Sequence, residues 1–248
     1  MSTIRIVRIL ATAATALLLL AAVAPAADAP QPVVTLKASI NPNHGKPGTP
    51  LTLNIDTRFK SVPAGGNFVL QSLDYLFPAA AVTNGKLFPS CSVNKLKAAH
   101  GILSVCPKGS KIGTGVGYGL ATAIGVASHG NLTLFNGPGG KSITMNIDIE
   151  HPAVVNDTWT APLTRVHGKY GYKLSVKLPP DLKTIIGGDI VVTRIVAKTG
   201  ATTTVHGKKR GYIEGKKCPK SGKAPVHADF VFNQNAKTSV DTNVVCKP

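Results

Sequence analysis

The sequence predicts an all-β protein: a two-sheet antiparallel sandwich, jelly-roll or Ig-like, of about twelve strands with one or two short helices and two disulfides. Three observations carry this expectation. The 25 Gly and 18 Pro punctuate the chain at roughly eight- to twelve-residue intervals, the spacing of turns in a sandwich or barrel. Between them lie short runs rich in Val, Ile, Thr, Leu and Tyr, several with strict apolar/polar alternation. Four cysteines follow an export-type N-terminus, and an oxidising compartment turns such a set into disulfides.

Taken in order, the chain opens with Arg5 and Arg8, an uncharged run from Ile9 to Ala27, and Ala24 and Ala26 set as an A-x-A site. This is the three-part layout of a cleaved secretory signal peptide over residues 1–26, and it predicts a mature chain without a transmembrane segment. Residues 27–32 read as a short linker and 33–248 as a β-sandwich domain, within which 33–59 is either integral or an Ig-like element of its own. Loss of 1–26 removes two arginines and no acid from a chain of formal charge +17, so the mature protein stands near +15. That excess favours anionic surfaces such as wall polymers or acidic lipids, or serves solubility alone.

Alternation places strands at Val33–Ile40, Pro50–Thr57, Phe68–Leu76, Ile112–Val126, Leu132–Phe135, Ser142–Ile149, Trp159–Val166, Tyr170–Leu178, Ile190–Ala197, Tyr212–Lys216, Val226–Phe232 and Ser239–Val245. Twelve strands exceed what one open, strongly twisted sheet usually holds, which points to two packed layers. One helix is expected at Val93–Ala99, capped by Ser92, with Leu96 inward and Gly101 as its stop. A second short turn is expected at Pro180–Ile186, where a leading proline suits a helix start. Val166–Tyr172 and Val205–Tyr212 both carry V-H-G-K and read as turns of similar chemistry.

The cysteines are Cys91, Cys106, Cys218 and Cys246. Three pairings exist. Cys91 with Cys106 and Cys218 with Cys246 are favoured, because each pair is local and encloses one supersecondary unit. The spacings contain neither a C-x-x-C pair nor a neighbouring His pair, so no zinc site is expected.

Gly137-Pro138-Gly139-Gly140-Lys141-Ser142 has the look of a phosphate-binding loop. The G-x-x-x-x-G-K-[ST] pattern requires glycine at 135, where Phe135 stands, and a following helix, where Ser142–Glu150 alternates as a strand. The segment is therefore expected to be a hairpin connection, with Asn136 and the glycines accepting positive φ and Pro138 fixing the bend.

The next strand sets Ser142, Thr144, Asn146, Asp148 and Glu150 on one face. Its N-I-D-I-E resembles the E-x-D-x-E strand of the laminarinase and lichenase type of glycosidase, exported jelly-roll sandwiches. That resemblance implies a carbohydrate-active enzyme or lectin centred on Asp148 and Glu150. The nucleophile position holds Asn146, and an amide cannot form the glycosyl-enzyme bond of retaining hydrolysis. An ordinary half-exposed strand gives the same pattern. The seven histidines show no i, i+2 or i, i+4 pair, and no G-x-S-x-G elbow occurs. No cofactor is expected.

The most basic stretch runs from Lys208 to Lys223, where Lys208, Lys209, Arg210, Lys216, Lys217, Lys220 and Lys223 stand against Glu214 alone. It could neutralise several phosphates or wall anions. With Tyr212 as its single aromatic residue it is poorly equipped to stack bases, so no specific nucleic acid is expected. Edge-strand lysines also block edge-to-edge pairing, which accounts for the same charges structurally.

Phe88-Pro89-Ser90-Cys91, Cys106-Pro107-Lys108-Gly109-Ser110-Lys111-Ile112-Gly113-Thr114-Gly115, the LFNGPGG hairpin and the Cys218-Pro219…Cys246 closure together resemble a group of secreted actinobacterial proteins. That group shares an F-P-x-C…C-P-x-x-S-x-I-G-x-G core and a C-P…C terminal hairpin. The resemblance implies a disulfide-stapled all-β fold outside the cytoplasm and carries over no activity. The function expected from the sequence is thus a non-enzymatic exported β-sandwich of the cell envelope or extracellular space that binds an anionic wall polymer or membrane surface. The carbohydrate-active reading stands as its alternative.

Overall fold

A computed structural model describes residues 32–60 and 67–247. The signal peptide expected at 1–26 and most of the linker expected at 27–32 lie outside the described residues. The strands are β1 (Val33–Asn41), β2 (Pro50–Lys60), β3 (Leu70–Pro78), β4 (Ala81–Thr83), β5 (Lys111–Ala121), β6 (Val126–Asn136), β7 (Ser142–Ile149) and β8 (Val155–Arg165). They continue with β9 (Tyr170–Lys177), β10 (Thr184–Ile185), β11 (Gly188–Thr199), β12 (Thr202–Val205), β13 (Lys208–Gly211), β14 (Ile213–Gly215), β15 (Lys223–Phe232) and β16 (Lys237–Val245). One α-helix, α1 (Val93–Ala98), stands between β4 and β5.

The protein is all-β. Fourteen strands share one antiparallel hydrogen-bonded path, β16-β15-β3-β9-β8-β7-β6-β5-β11-β2-β14-β4, with β1 on β2 and β10 on β11, and β12-β13 form a separate ribbon. The path doubles over at β8. Its longer N-terminal part, Val155–Pro162, pairs with β7, and its last residues, Leu163–Arg165, pair with β9. The result is two facing layers, one built on β1-β2-β11-β5-β6-β7 and the other on β9-β3-β15-β16. At the far side β1 and β16 lie against each other, so the apolar faces are enclosed. Residues 33–60 belong to this arrangement, since β2 pairs with β11 from Leu53 to Arg58.

Aromatic packing joins the layers at one end. Phe59 of β2 meets Phe230 of β15 edge to face at 5.4 Å, and Phe68 and Phe232 complete the group. The Thr57 and Tyr75 hydroxyls share a buried hydrogen bond of 2.7 Å across the layers. Alternation is what makes this possible: in β7, Ile143, Met145, Ile147 and Ile149 are all buried toward the interior.

Outside the first layer lies the segment that carries α1. Ser92 Oγ accepts from Lys95 N at 3.3 Å as an N-cap, Leu96 is fully buried, and Gly101 ends the turn at φ +80°. Cys91–Cys106 and Cys218–Cys246 are both disulfides, the local pairing.

Several boundaries differ from those expected. Ile112–Val126 is two strands: the chain reverses through Thr122–Gly125, where Gly125 has φ +66°, and β6 begins at Val126. The apolar/polar rhythm continues across this four-residue turn and conceals it. Asn136 takes no positive φ; it ends β6, and Gly139 and Gly140 alone make the left-handed turn. Its buried amide instead shares its N–H groups among the carbonyls of Gly85, Phe88 and Pro89 at 2.9, 3.0 and 3.1 Å. Pro180–Leu182 is a single 3-10 turn that leads into the β10–β11 hairpin. Of the two V-H-G-K sites, the second is a tight hairpin with His206 at φ 48° and Gly207 at φ 74°.

Candidate functional site

The interior is not filled. Between the layers lies a cavity of about 260 Å³ with an almost wholly apolar wall. Its origin is legible in β5, where Gly113, Gly115, Gly117 and Gly119 alternate on one face. Opposite them in register stand Leu134, Leu132, Gly130 and Ser128 of β6, which, with Ile195 and Val192 of β11, are part of the wall. The β5 glycines contribute backbone and no side chains, and two of them, Gly117 and Gly119, line the cavity.

The glycines are not equivalent. A Cβ on Gly113 or Gly115 would stand 2.4 Å from the carbonyl oxygen of Lys198 or Val196, so these two permit close approach of β11. A Cβ on Gly117 would meet only Ile147 Cδ1, at 3.8 Å. Position 117 thus faces free space.

The two ends of the interior differ. The phenylalanine group occupies the end where β2 finishes and β3 begins, and none of its four rings lines the cavity. At the other end the β1–β2 loop, the segment after β14 and the chain's last residues come together. Gly48 N donates to Gly215 O at 2.8 Å, Lys216 N to Ala80 O at 2.7 Å, and Lys247 N to Asn43 O at 2.7 Å. The Cys218–Cys246 disulfide lines the cavity here. Apart from Gly45 and Tyr118, the exposed residues of the lining are His44, Lys46, Lys216 and Lys247, and no Asp or Glu is among the lining residues. The mouth is basic.

Three buried side-chain atoms among the described residues have no hydrogen-bond partner, and two of them, Trp159 Nε1 and Tyr212 Oη, belong to residues of the cavity wall. Buried polar groups are nearly always paired, so these two mark the wall as able to receive an acceptor. Burial pushes the Tyr212 hydroxyl well above the ordinary tyrosine range and the Tyr75 hydroxyl up to about 12, the latter against its hydrogen bond with Thr57, which pulls the other way. Both hydroxyls are protonated at neutral pH.

The residues singled out from the sequence fall into separate places. Lys208 and Lys209 are exposed on β13. Arg210 is occupied: its guanidinium grips Glu214 at 2.8 and 3.0 Å, and Glu214, 3% exposed, also accepts from Gly211 N at 2.9 Å. These bonds hold the Glu214 carboxyl below its usual range despite its burial. Lys216, Lys217 and Lys220 are exposed in the segment around Cys218, and Lys223 opens β15. Of the basic residues of this stretch, Lys216 is the one that reaches the cavity. Lys46 and Lys247, its companions there, are far away in sequence and have no local signature.

Asp148 and Glu150 do not line the cavity. Asp148 is half-buried and accepts from the Asn156 amide at 3.5 Å, and Glu150 is exposed just beyond β7. Asn146, on the same face, is 1% exposed, and its amide donates to Asn156 Oδ1 at 3.1 Å and Thr158 Oγ1 at 3.0 Å. Next to it the Thr144 hydroxyl donates to Cys91 O at 2.8 Å beneath the α1 segment. Among the described residues no cluster of three His, Cys, Asp or Glu is placed to hold a metal ion, and no helix is long and apolar enough to cross a membrane. Comparison with protein-family models, curated proteins and solved structures returns no match to this chain.

Proposed function

We propose that this protein is a non-enzymatic, extracytoplasmic binding protein that holds an apolar or amphiphilic ligand between its two sheets. The observation that carries the reading is the apolar cavity of about 260 Å³ that Gly117 and Gly119 of β5 help to line. Close packing is the rule in protein interiors, and an unfilled apolar volume of this size forfeits the dispersion contacts its wall could make. A bound alkyl chain restores them. Two disulfides support an oxidising compartment. The exposed lysines of the 208–223 stretch would add attraction to an anionic envelope surface.

The test fills the cavity from within. Gly117→Leu directs a branched side chain into the space where a Cβ meets nothing closer than 3.8 Å. The uncharged dye N-phenyl-1-naphthylamine should bind the wild-type protein one to one with enhanced fluorescence. Gly117→Leu should weaken it at least ten-fold with no loss of thermal stability. Absence of saturable binding to the wild type, or equal affinity in the variant, would overturn the reading.

A further inference from the structure

We infer that the ligand is a single-chain anionic amphiphile, its tail lying against Gly117 and Gly119 of β5 and its carboxylate or phosphate head held at the basic mouth by Lys46, Lys216 and Lys247. This rests on the cavity reading above and adds the chemistry of the ligand to it. Three independent features of the site lead there.

The first is charge. Every charged or titratable cationic residue of the lining is at one end, and the lining contains no carboxylate. An apolar tunnel with cations of one sign at its mouth suits a molecule that is apolar along its length and anionic at one tip. A neutral hydrocarbon would gain nothing from them, and a cationic amphiphile would be repelled.

The second is the unpaired hydroxyl of Tyr212. The residue is 1% exposed and lines the cavity, it directly precedes β14, whose Ile213 and Glu214 pair with Leu51 and Pro50 beside the β1–β2 loop, and its Oη has no partner. A protonated phenol with no acceptor is a ready donor to a head-group oxygen. Charge-assisted hydrogen bonds of this kind are about twice as strong as neutral ones.

The third is size. An apolar cavity of about 150 Å³ admits benzene, six carbons. By proportion the 260 Å³ here holds about ten carbons, enough for one alkyl chain in extended form and too little for the paired chains of a membrane diacyl lipid. A fatty acid and a single-chain phospholipid share the required chemistry and differ in the head.

Titration calorimetry with decanoate, decyl phosphate, decanol and decyltrimethylammonium separates these terms. Decanoate or decyl phosphate should bind one to one at least ten-fold tighter than decanol, with the cation weakest, and the tighter of the two anions identifies the head group. The double replacement Lys46→Glu/Lys216→Glu, at exposed side chains, should weaken the anion about ten-fold and leave decanol within two-fold. Tyr212→Phe should weaken the anion about five-fold with decanol unaffected. Equal affinity for decanol and the anions, or anion binding untouched by the lysine replacement, overturns the head-group assignment and leaves the cavity reading standing. Failure of all four alkyl probes and of the uncharged dye to bind the wild type removes both.

Discussion

His227 of β15 sets both ring nitrogens against carboxylates, Nδ1 at 2.9 Å from Asp241 of β16 and Nε2 at 3.1 Å from Asp229. Burial disfavours the charged ring, but hydrogen bonds to Asp241 and then Asp229, with their negative charge, outweigh it and raise the His227 pKa above its ordinary value. The same contact, aided by Lys169 and Tyr170, lowers Asp241. The sign follows from linkage. A raised histidine contributes stability that is full below its unfolded pKa of about 6.5 and is lost as pH rises through the folded value. The lowered Asp241 contributes above its unfolded pKa of about 3.9 and loses this as pH falls. The pair therefore stabilises most between about pH 5 and 6. Both acids are more than half exposed, so solvent screening keeps the contribution small. Urea unfolding at pH 5.5 and 8.5 should show the advantage of wild type over His227→Gln shrinking at the higher pH; parallel behaviour of the two proteins would show that the ring is not charged in this setting.

At the scale of the element, β5 carries the unusual physics. Gly115 and Gly117 are two residues apart on one face, yet their surroundings are opposite: a Cβ meets the Val196 carbonyl oxygen at 2.4 Å in one case and ordinary contact in the other. Gly115→Ala should cost about 2 kcal/mol as β11 is pushed away. Gly117→Ala should be neutral or gain a few tenths of a kcal/mol by restricting the unfolded chain. Equal midpoints for the two variants in denaturant would contradict the register described. The strands themselves were legible because alternation and turn residues are local signals. So was α1, whose Ser92 cap and Gly101 stop stand in the sequence. The short strands β4, β10, β12 and β13, two to four residues each, are below the length at which alternation can be recognised. The cavity had a visible sign in G-T-G-V-G-Y-G, but alternate glycines are compatible with a bulge or with a close neighbour as well as with open space. Only the paired strands decide between them.

At the scale of the whole molecule, the mouth depends on closure. The charges of the 208–223 stretch were readable, but which of them face the interior was not. Lys216 meets Lys46 and Lys247 only because the chain's end hydrogen-bonds to the β1–β2 loop, 204 residues earlier, through Lys247 N to Asn43 O, and composition cannot show that Arg210 is already taken by Glu214. The covalent part of this closure is Cys218–Cys246, a sequence separation of 28. In the chain-entropy model a loop of that length is worth about 3.5 kcal/mol, an upper figure because native strain and residual unfolded structure subtract. Since the bond lines the cavity's basic end, its removal should act on binding as well as on stability. Replacing both cysteines by serine should lower the denaturant midpoint with little change in slope, and should speed release of the naphthylamine dye as the mouth loosens. The Cys91–Cys106 pair provides the control. It staples the α1 segment outside the first layer and does not line the cavity, so its double serine variant should lose comparable stability with dye release unchanged. Identical release from both variants would place the ligand's path elsewhere than the end closed by Cys218–Cys246.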